Sequence, residues 1–131
     1  MSNRIIHFEI QAADTAKVAE FYKSVFGWEI NKVENMDYWL VMTAPEGSTE
    51  PGINGGITLR NGPMPQEGGA VNAFVCTISV PSVDEFGKKI EAAGGKVQMP
   101  KMPITGMAWI AYYTDIEGNS FGIYEDDKNA K

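Results

Sequence analysis

The chain has 131 residues, the length of one domain around one hydrophobic core, and its 44% hydrophobic and 21% charged content excludes a disordered polypeptide. Eleven Lys and Arg against seventeen Asp and Glu leave a formal charge of -6 with no basic block, which argues against a nucleic-acid partner. There is no apolar run of about 18 residues for a membrane helix, no apolar h-region after Met1 for a signal peptide, and a lone Cys76 that forms no internal disulfide, so a cytoplasmic location is expected.

Residues 4–10 alternate, with Ile6, Phe8 and Ile10 on one face and Ile5, His7 and Glu9 on the other, the period of a strand. Asp14 reads as an N-cap. Beyond it Val18, Phe21, Tyr22 and Val25 recur at helical spacing, and Gly27 stands where a left-handed residue ends a helix. Strands are expected from Trp28 to Val33 and from Tyr38 to Thr43, then a loop over residues 44–51 and a glycine-weakened strand over residues 52–60. Residues 61–70, rich in Gly and Pro, read as a linker.

The pattern then restarts. Asn72 to Val80 reads as a strand, Ser82 as an N-cap with Glu85 completing a capping box, and Val83, Phe86, Ile90 and Ala93 as a helix face stopped by Gly94-Gly95. A short strand from Lys96 to Met99, a bend at Pro100 and Pro103, a strand from Met107 to Tyr113, a turn at Asp115–Asn119 and a last strand from Ser120 to Tyr124 follow. The tail, residues 127–131, is expected to fray. At an offset of 68 the caps Asp14 and Ser82 coincide, as do the stops Gly27 and Gly95. The expected class is therefore α+β: one domain of two tandem βαβββ modules, residues 4–60 and 71–126, forming curled sheets around a cleft with helices on the outer faces.

His7-Phe-Glu-Ile, Asp14 and Phe21-Tyr-Lys-Ser-Val-Phe-Gly-Trp28 resemble the first module of the vicinal oxygen chelate superfamily, which includes glyoxalase I, bleomycin-resistance proteins and extradiol dioxygenases. Ser79–Glu85, Ala93–Val97 and Tyr113–Asn119 resemble the second. The resemblance implies homodimers and, in the enzymes, a divalent metal held by side chains from the first and last strands of each module. Carried over, those positions are His7, Gly56, Val75 and Gly122, of which only His7 offers a donor. No metal and no cofactor are expected on that count, because a catalytic ion needs about three protein ligands.

The expected ligand-binding residues are His7, Glu9, Trp39, Gly56, Val75, Thr77, Trp109, Gly122 and Tyr124. Glu9, on the same face as His7, is costly to hold in a cleft unless paired or solvated, and with His7 it is the candidate for proton transfer. Val75 and Tyr124 would make an apolar, aromatic wall where relatives hold a metal. Cys76 is expected to be a buried, inert thiol. The expected activity is metal-independent binding of a small molecule. A lyase or isomerase related to lactoylglutathione lyase, working through His7 and Glu9, is the alternative.

Overall fold

The computed structural model describes residues 4–71 and 73–131. The chain divides into two compact units, residues 1–64 and 65–131, and each is one βαβββ module. The first comprises β1 (Phe8–Ala12), α1 (Thr15–Phe26), β2 (Glu29–Lys32), β3 (Tyr38–Met42) and β4 (Gly55–Leu59). Its sheet runs β1-β4-β3-β2, with β1 parallel to β4 and the other pairs antiparallel. The second comprises β5 (Cys76–Ser79), α2 (Val83–Ala92), β6 (Lys96–Ile104), β7 (Ala108–Thr114) and β8 (Ser120–Asp126), ordered β5-β8-β7-β6 in the same sense. The fold class read from the sequence is the one observed: two open, mixed four-stranded sheets, each with one helix packed on one face.

Both helices begin as their caps dictate. The Asp14 carboxylate accepts from the Lys17 amide at 3.1 Å, and the Ser82 hydroxyl from the Glu85 amide at 3.1 Å, satisfying amides that the first helical turn leaves without partners. A further carboxylate, Glu125 on β8, accepts from the Val83 amide at 2.8 Å, where the helix dipole favours negative charge. Gly27 closes α1 in the left-handed region at φ 71°. In the second module that conformation falls on Gly94, at φ 101°, one residue before the expected Gly95.

The helices bury one stripe each. Val18, Phe21, Tyr22 and Val25 pack with Ile30, Val41 and Ile57 in the first module. Val83 and Ile90 join Ala111, Tyr113, Phe121 and Ile123 in the second. Trp28, just past the glycine stop, stacks on Tyr22 with ring centroids 5.4 Å apart and on Phe26 at 5.2 Å, so it serves packing.

Several expected boundaries move. β1 starts at Phe8 because its parallel partner β4 starts opposite it, at Gly55; Ile5 and Ile6 precede the strand and are exposed. β5 is short, its pairing with β8 opening at Cys76 opposite Phe121; the expected start at Asn72 lies outside the described residues. Cys76 is exposed, which corrects the expectation of a buried thiol. β6 runs straight through Pro100 and Pro103 to Ile104, with register shifts between Val97 and Met99 and between Met99 and Met102. An outermost strand with such irregularities tolerates prolines that a central strand would not.

The tail does not fray. The Asp127 amide donates to Met107 O at 2.9 Å, the Gly106 amide to Ala130 O at 2.8 Å, and Ala130 is buried. The Asp127 carboxyl lies below its ordinary value of 3.8, through the Asn129 amide first, then the Trp109 indole and the Lys101 charge.

Candidate functional site

Strand alternation gives each sheet one face against its helix and one face away from it. In the first module, Glu9 on β1 pairs with Gly56 on β4, which pairs with Leu40 on β3, so these three share the face away from α1. Tyr38, two residues before Leu40, lies on that face as well. Its phenol reaches diagonally across to Gly56, where a Cβ would stand 2.1 Å from the hydroxyl oxygen. The glycine is the space that admits the phenol. A large ring laid over a cross-strand glycine is a known stabilising pair in sheets.

There the Tyr38 hydroxyl donates to Glu9 Oε2 at 2.9 Å, and His7 Nε2 lies 3.1 Å from the same hydroxyl. Because the single phenol proton goes to Glu9, the His7 contact is completed by an imidazole N–H donating to the phenol oxygen. His7 Nε2 also lies 3.6 Å from Glu9 Oε2, an ion pair whenever the imidazole is protonated. Both side chains remain open to solvent, His7 by 46% and Glu9 by 44%, so the trio is reachable by a ligand.

Tyr38 is held above the ordinary 10.0 by burial of the phenol first, then by its hydrogen bond to Glu9 and that carboxylate's charge. A folded-state value above the unfolded one gives stability that is complete below pH 10.0 and lost as pH rises through the raised value. The phenolate absorbance present in wild type and missing in Tyr38→Phe is therefore expected to titrate above 10.0, and Glu9→Gln to lower its midpoint. A midpoint at or below 10.0, indifferent to Glu9, would contradict the contact.

The second module repeats the arrangement with other chemistry. Thr77 on β5 pairs with Gly122 on β8, and Gly122 with Tyr112 on β7. A Cβ at Gly122 would meet Tyr112 Cε1 at 2.9 Å and Thr77 Oγ1 at 3.1 Å. Tyr124 shares that face, opposite Ile110. Val75 stands just before β5 with 39% of its surface exposed.

Two expected site residues, Trp39 and Trp109, stand on the helix-side face. Trp39 pairs with Ile57 on the helix-side face, and its indole N–H donates to Thr15 Oγ1 at 3.1 Å, while the Thr15 hydroxyl donates to Asp37. Trp109 pairs with Glu125, the helix cap, and its indole N–H donates to Asp127 at 2.9 Å with Lys101 over its ring. Both tryptophans face opposite to Glu9 and Gly122 in their modules. Tyr38 and Tyr112 take the places over the glycines that the sequence reading gave to no side chain. The readable signal was a large aromatic on the strand next to an inward-facing glycine.

The four positions that the resemblance equates with metal ligands do not supply the donor set it implies. At Gly56 and Gly122 the space a side chain would enter is filled by Tyr38 and by Tyr112 with Thr77, and Val75 is aliphatic. Among the described residues no three His, Cys, Asp or Glu side chains converge as an ion would require. No helix among them is long and apolar enough to cross a membrane.

The paired modules define the vicinal oxygen chelate fold, and comparison with solved structures shows it. The fosfomycin resistance protein FosX from Listeria monocytogenes superposes with a TM-score of 0.72 at 18% identity, over 97% of this chain and 96% of that one. A glyoxalase/bleomycin resistance protein/dioxygenase family enzyme from Burkholderia phytofirmans PsJN superposes with a TM-score of 0.71 at 18% identity, over 92% and 97%. In sequence, residues 4–44, from ahead of β1 through β3, match the bleomycin resistance protein-like N-terminal family model. The anthracycline biosynthesis protein DnrV from Streptomyces peucetius is 22% identical over 138 aligned residues, covering 89% of this chain and 45% of the relative. The chain thus spans under half the length of the curated relatives it matches.

Proposed function

We infer that the chain binds a small organic molecule without a metal ion, with His7, Tyr38 and Glu9 as its polar anchor. The observation that carries this reading is the Tyr38 phenol over Gly56: the place of a lost ligand side chain is taken by a group that hydrogen-bonds the two remaining polar side chains to each other. Glu9 Oε2 accepts from Tyr38, which leaves Oε1 to accept from a ligand donor; the phenol fixes the carboxylate's orientation in advance, lowering the ordering cost of binding. Gly56 belongs with that anchor on the first module; Val75, Thr77, Gly122 and Tyr124 are proposed contacts on the second module's own face, and Trp39 and Trp109 are not proposed as contacts. The names of two relatives, an anthracycline biosynthesis protein and a fosfomycin resistance protein, both concern small organic molecules, which supports the class of ligand. Assembly as a homodimer belongs to the same proposal, supported by the exposed apolar Ile5, Ile6 and Phe74.

A lyase or isomerase is the second reading, favoured by the same hydrogen-bonded chain, along which a proton can pass between Glu9 and His7 through the phenol. One experiment separates the two. Protein purified without chelator is analysed for transition metals, then screened against a metabolite library by native mass spectrometry with and without chelator. The binding reading expects substoichiometric metal, chelator-insensitive binding, and a loss of about tenfold or more on Glu9→Gln, the scale of a hydrogen bond to a charged group. Stoichiometric metal, or hemithioacetal turnover abolished by chelator and by Glu9→Gln, overturns it in favour of the enzyme.

A further inference from the structure

The face of the second module differs in kind from that of the first. Two rows of residues cross its sheet from β5 to β6. One is Thr77, Gly122, Tyr112 and Met99; the other is Ser79, Tyr124, Ile110 and Met102. Neither row contains an ionisable acid or base other than the two phenols. Charge appears only beyond them, at Asp126 on one side and at Lys96 on the other, the latter paired with Glu67 at 3.4 Å. Across the corresponding first-module row stand Glu9, Gly56, Leu40 and Asn31.

The Tyr112 ring is laid down on the sheet. Both Cε1 and Cδ1 come within 2.9 and 3.2 Å of the point where a Gly122 Cβ would be, so one edge of the ring rests over bare backbone. A ring lowered in this way exposes a broad surface, where an upright ring offers an edge. Tyr124 and Ile110 stand in the next row, and Met99 and Met102 border the patch on β6, Met102 being 42% exposed. Thioethers are flexible and polarisable, and they make favourable contacts with aromatic rings.

We propose that this face of the second module is itself a ligand-contact surface, and that it selects a flat, uncharged, fused-ring aromatic. The proposal rests on the small-molecule reading above and names the class of molecule. An ionic or highly polar group placed here would lose its hydration without a charged partner. A bulky aliphatic would gain burial but no stacking with Tyr112 or Tyr124.

The test uses acridone, a neutral three-ring planar probe, against 2-adamantanone, a compact non-planar one, on the full chain carrying methyl-labelled methionine. Acridone is expected to bind and to shift the Met99 and Met102 methyl resonances through its ring current, assigned by Met99→Leu and Met102→Leu. Adamantanone is expected to leave them in place. Tyr112→Leu, and independently Tyr124→Leu, is expected to weaken acridone by about threefold to tenfold, the scale of one aromatic pair. Acridone binding without a ring-current shift at these methyls, or equal binding of both probes, overturns the proposal. Should acridone fail while the library yields a ligand sensitive to Glu9→Gln, this proposal falls and the small-molecule reading stands; should neither bind, both fall.

Discussion

Gly55→Ala is expected to cost the first module much of its stability, whereas Gly56→Ala, one residue on, is expected to leave it folded. Both glycines are buried on β4, and a methyl group at either would collide, but with different neighbours. At Gly55 the nearest atom is the Phe8 carbonyl oxygen, 2.3 Å away, with the Phe8 ring at 2.6 Å. Phe8 and Gly55 are partners in the parallel β1–β4 ladder, so that oxygen retreats only if the strands part. Overpacking of this kind costs about 1–3 kcal/mol, and more where backbone must move. At Gly56 the obstacle is the far end of the Tyr38 side chain, which swings aside at the expense of its contacts with Glu9 and His7. Thermal and urea melts therefore separate the two variants by stability, and the phenol titration separates them the other way, the raised Tyr38 value collapsing in Gly56→Ala. Equal loss of stability in both would show that the phenol is as immovable as the backbone.

Ile57→Ala and Ile123→Ala are expected to be comparably damaging, at about 2–5 kcal/mol each. Both side chains are completely buried. They hold equivalent places, on the strand flanked by the first and third strands of its own module: Ile57 between Ile10 and Trp39, Ile123 between Ile78 and Ala111. Removing three carbons there leaves a cavity that a sheet on one side and a helix on the other close only in part. Against a total stability of about 5–15 kcal/mol, either loss is large. Met36→Ala and Met64→Ala, at residues 56% and 48% exposed, are expected to stay within about 0.5 kcal/mol. Urea denaturation curves check all four, and a buried-site variant behaving like an exposed one would refute the core assignment.

What could be read from the sequence was local. Asp14, Ser82 and Gly27 act through hydrogen bonds and dihedral angles a few residues away, so residue type alone located both helix starts and one helix end. The buried stripe of α1 followed from spacing for the same reason. Strand faces were harder, because the side-chain period is two and a tryptophan one position from a tyrosine looks the opposite way. As aromatic residues in strands Trp39 and Trp109 read like cleft residues; their indole N–H groups find Thr15 and Asp127 on the helix-side face. Tyr38 and Tyr112 went unassigned because their importance depends on which glycine lies beside them on the neighbouring strand. That register is set by pairing across the long connection between Tyr38 and Gly56 and by the short turn between Tyr112 and Gly122, and a single sequence does not print it. The β6 prolines misled because a bend is their commonest meaning, and only the strand's place in the sheet makes another admissible.

That placement has a consequence for how copies of the molecule meet. A strand bordering a sheet invites any passing extended segment to zip onto it, the first step toward insoluble fibrils. On β6, Pro100 and Pro103 carry no amide hydrogen, and the shifted register between Val97 and Met102 breaks the regular ladder that such zipping needs. The exposed Val97 and Met102 can therefore sit on this margin without turning it into a template for uncontrolled self-association.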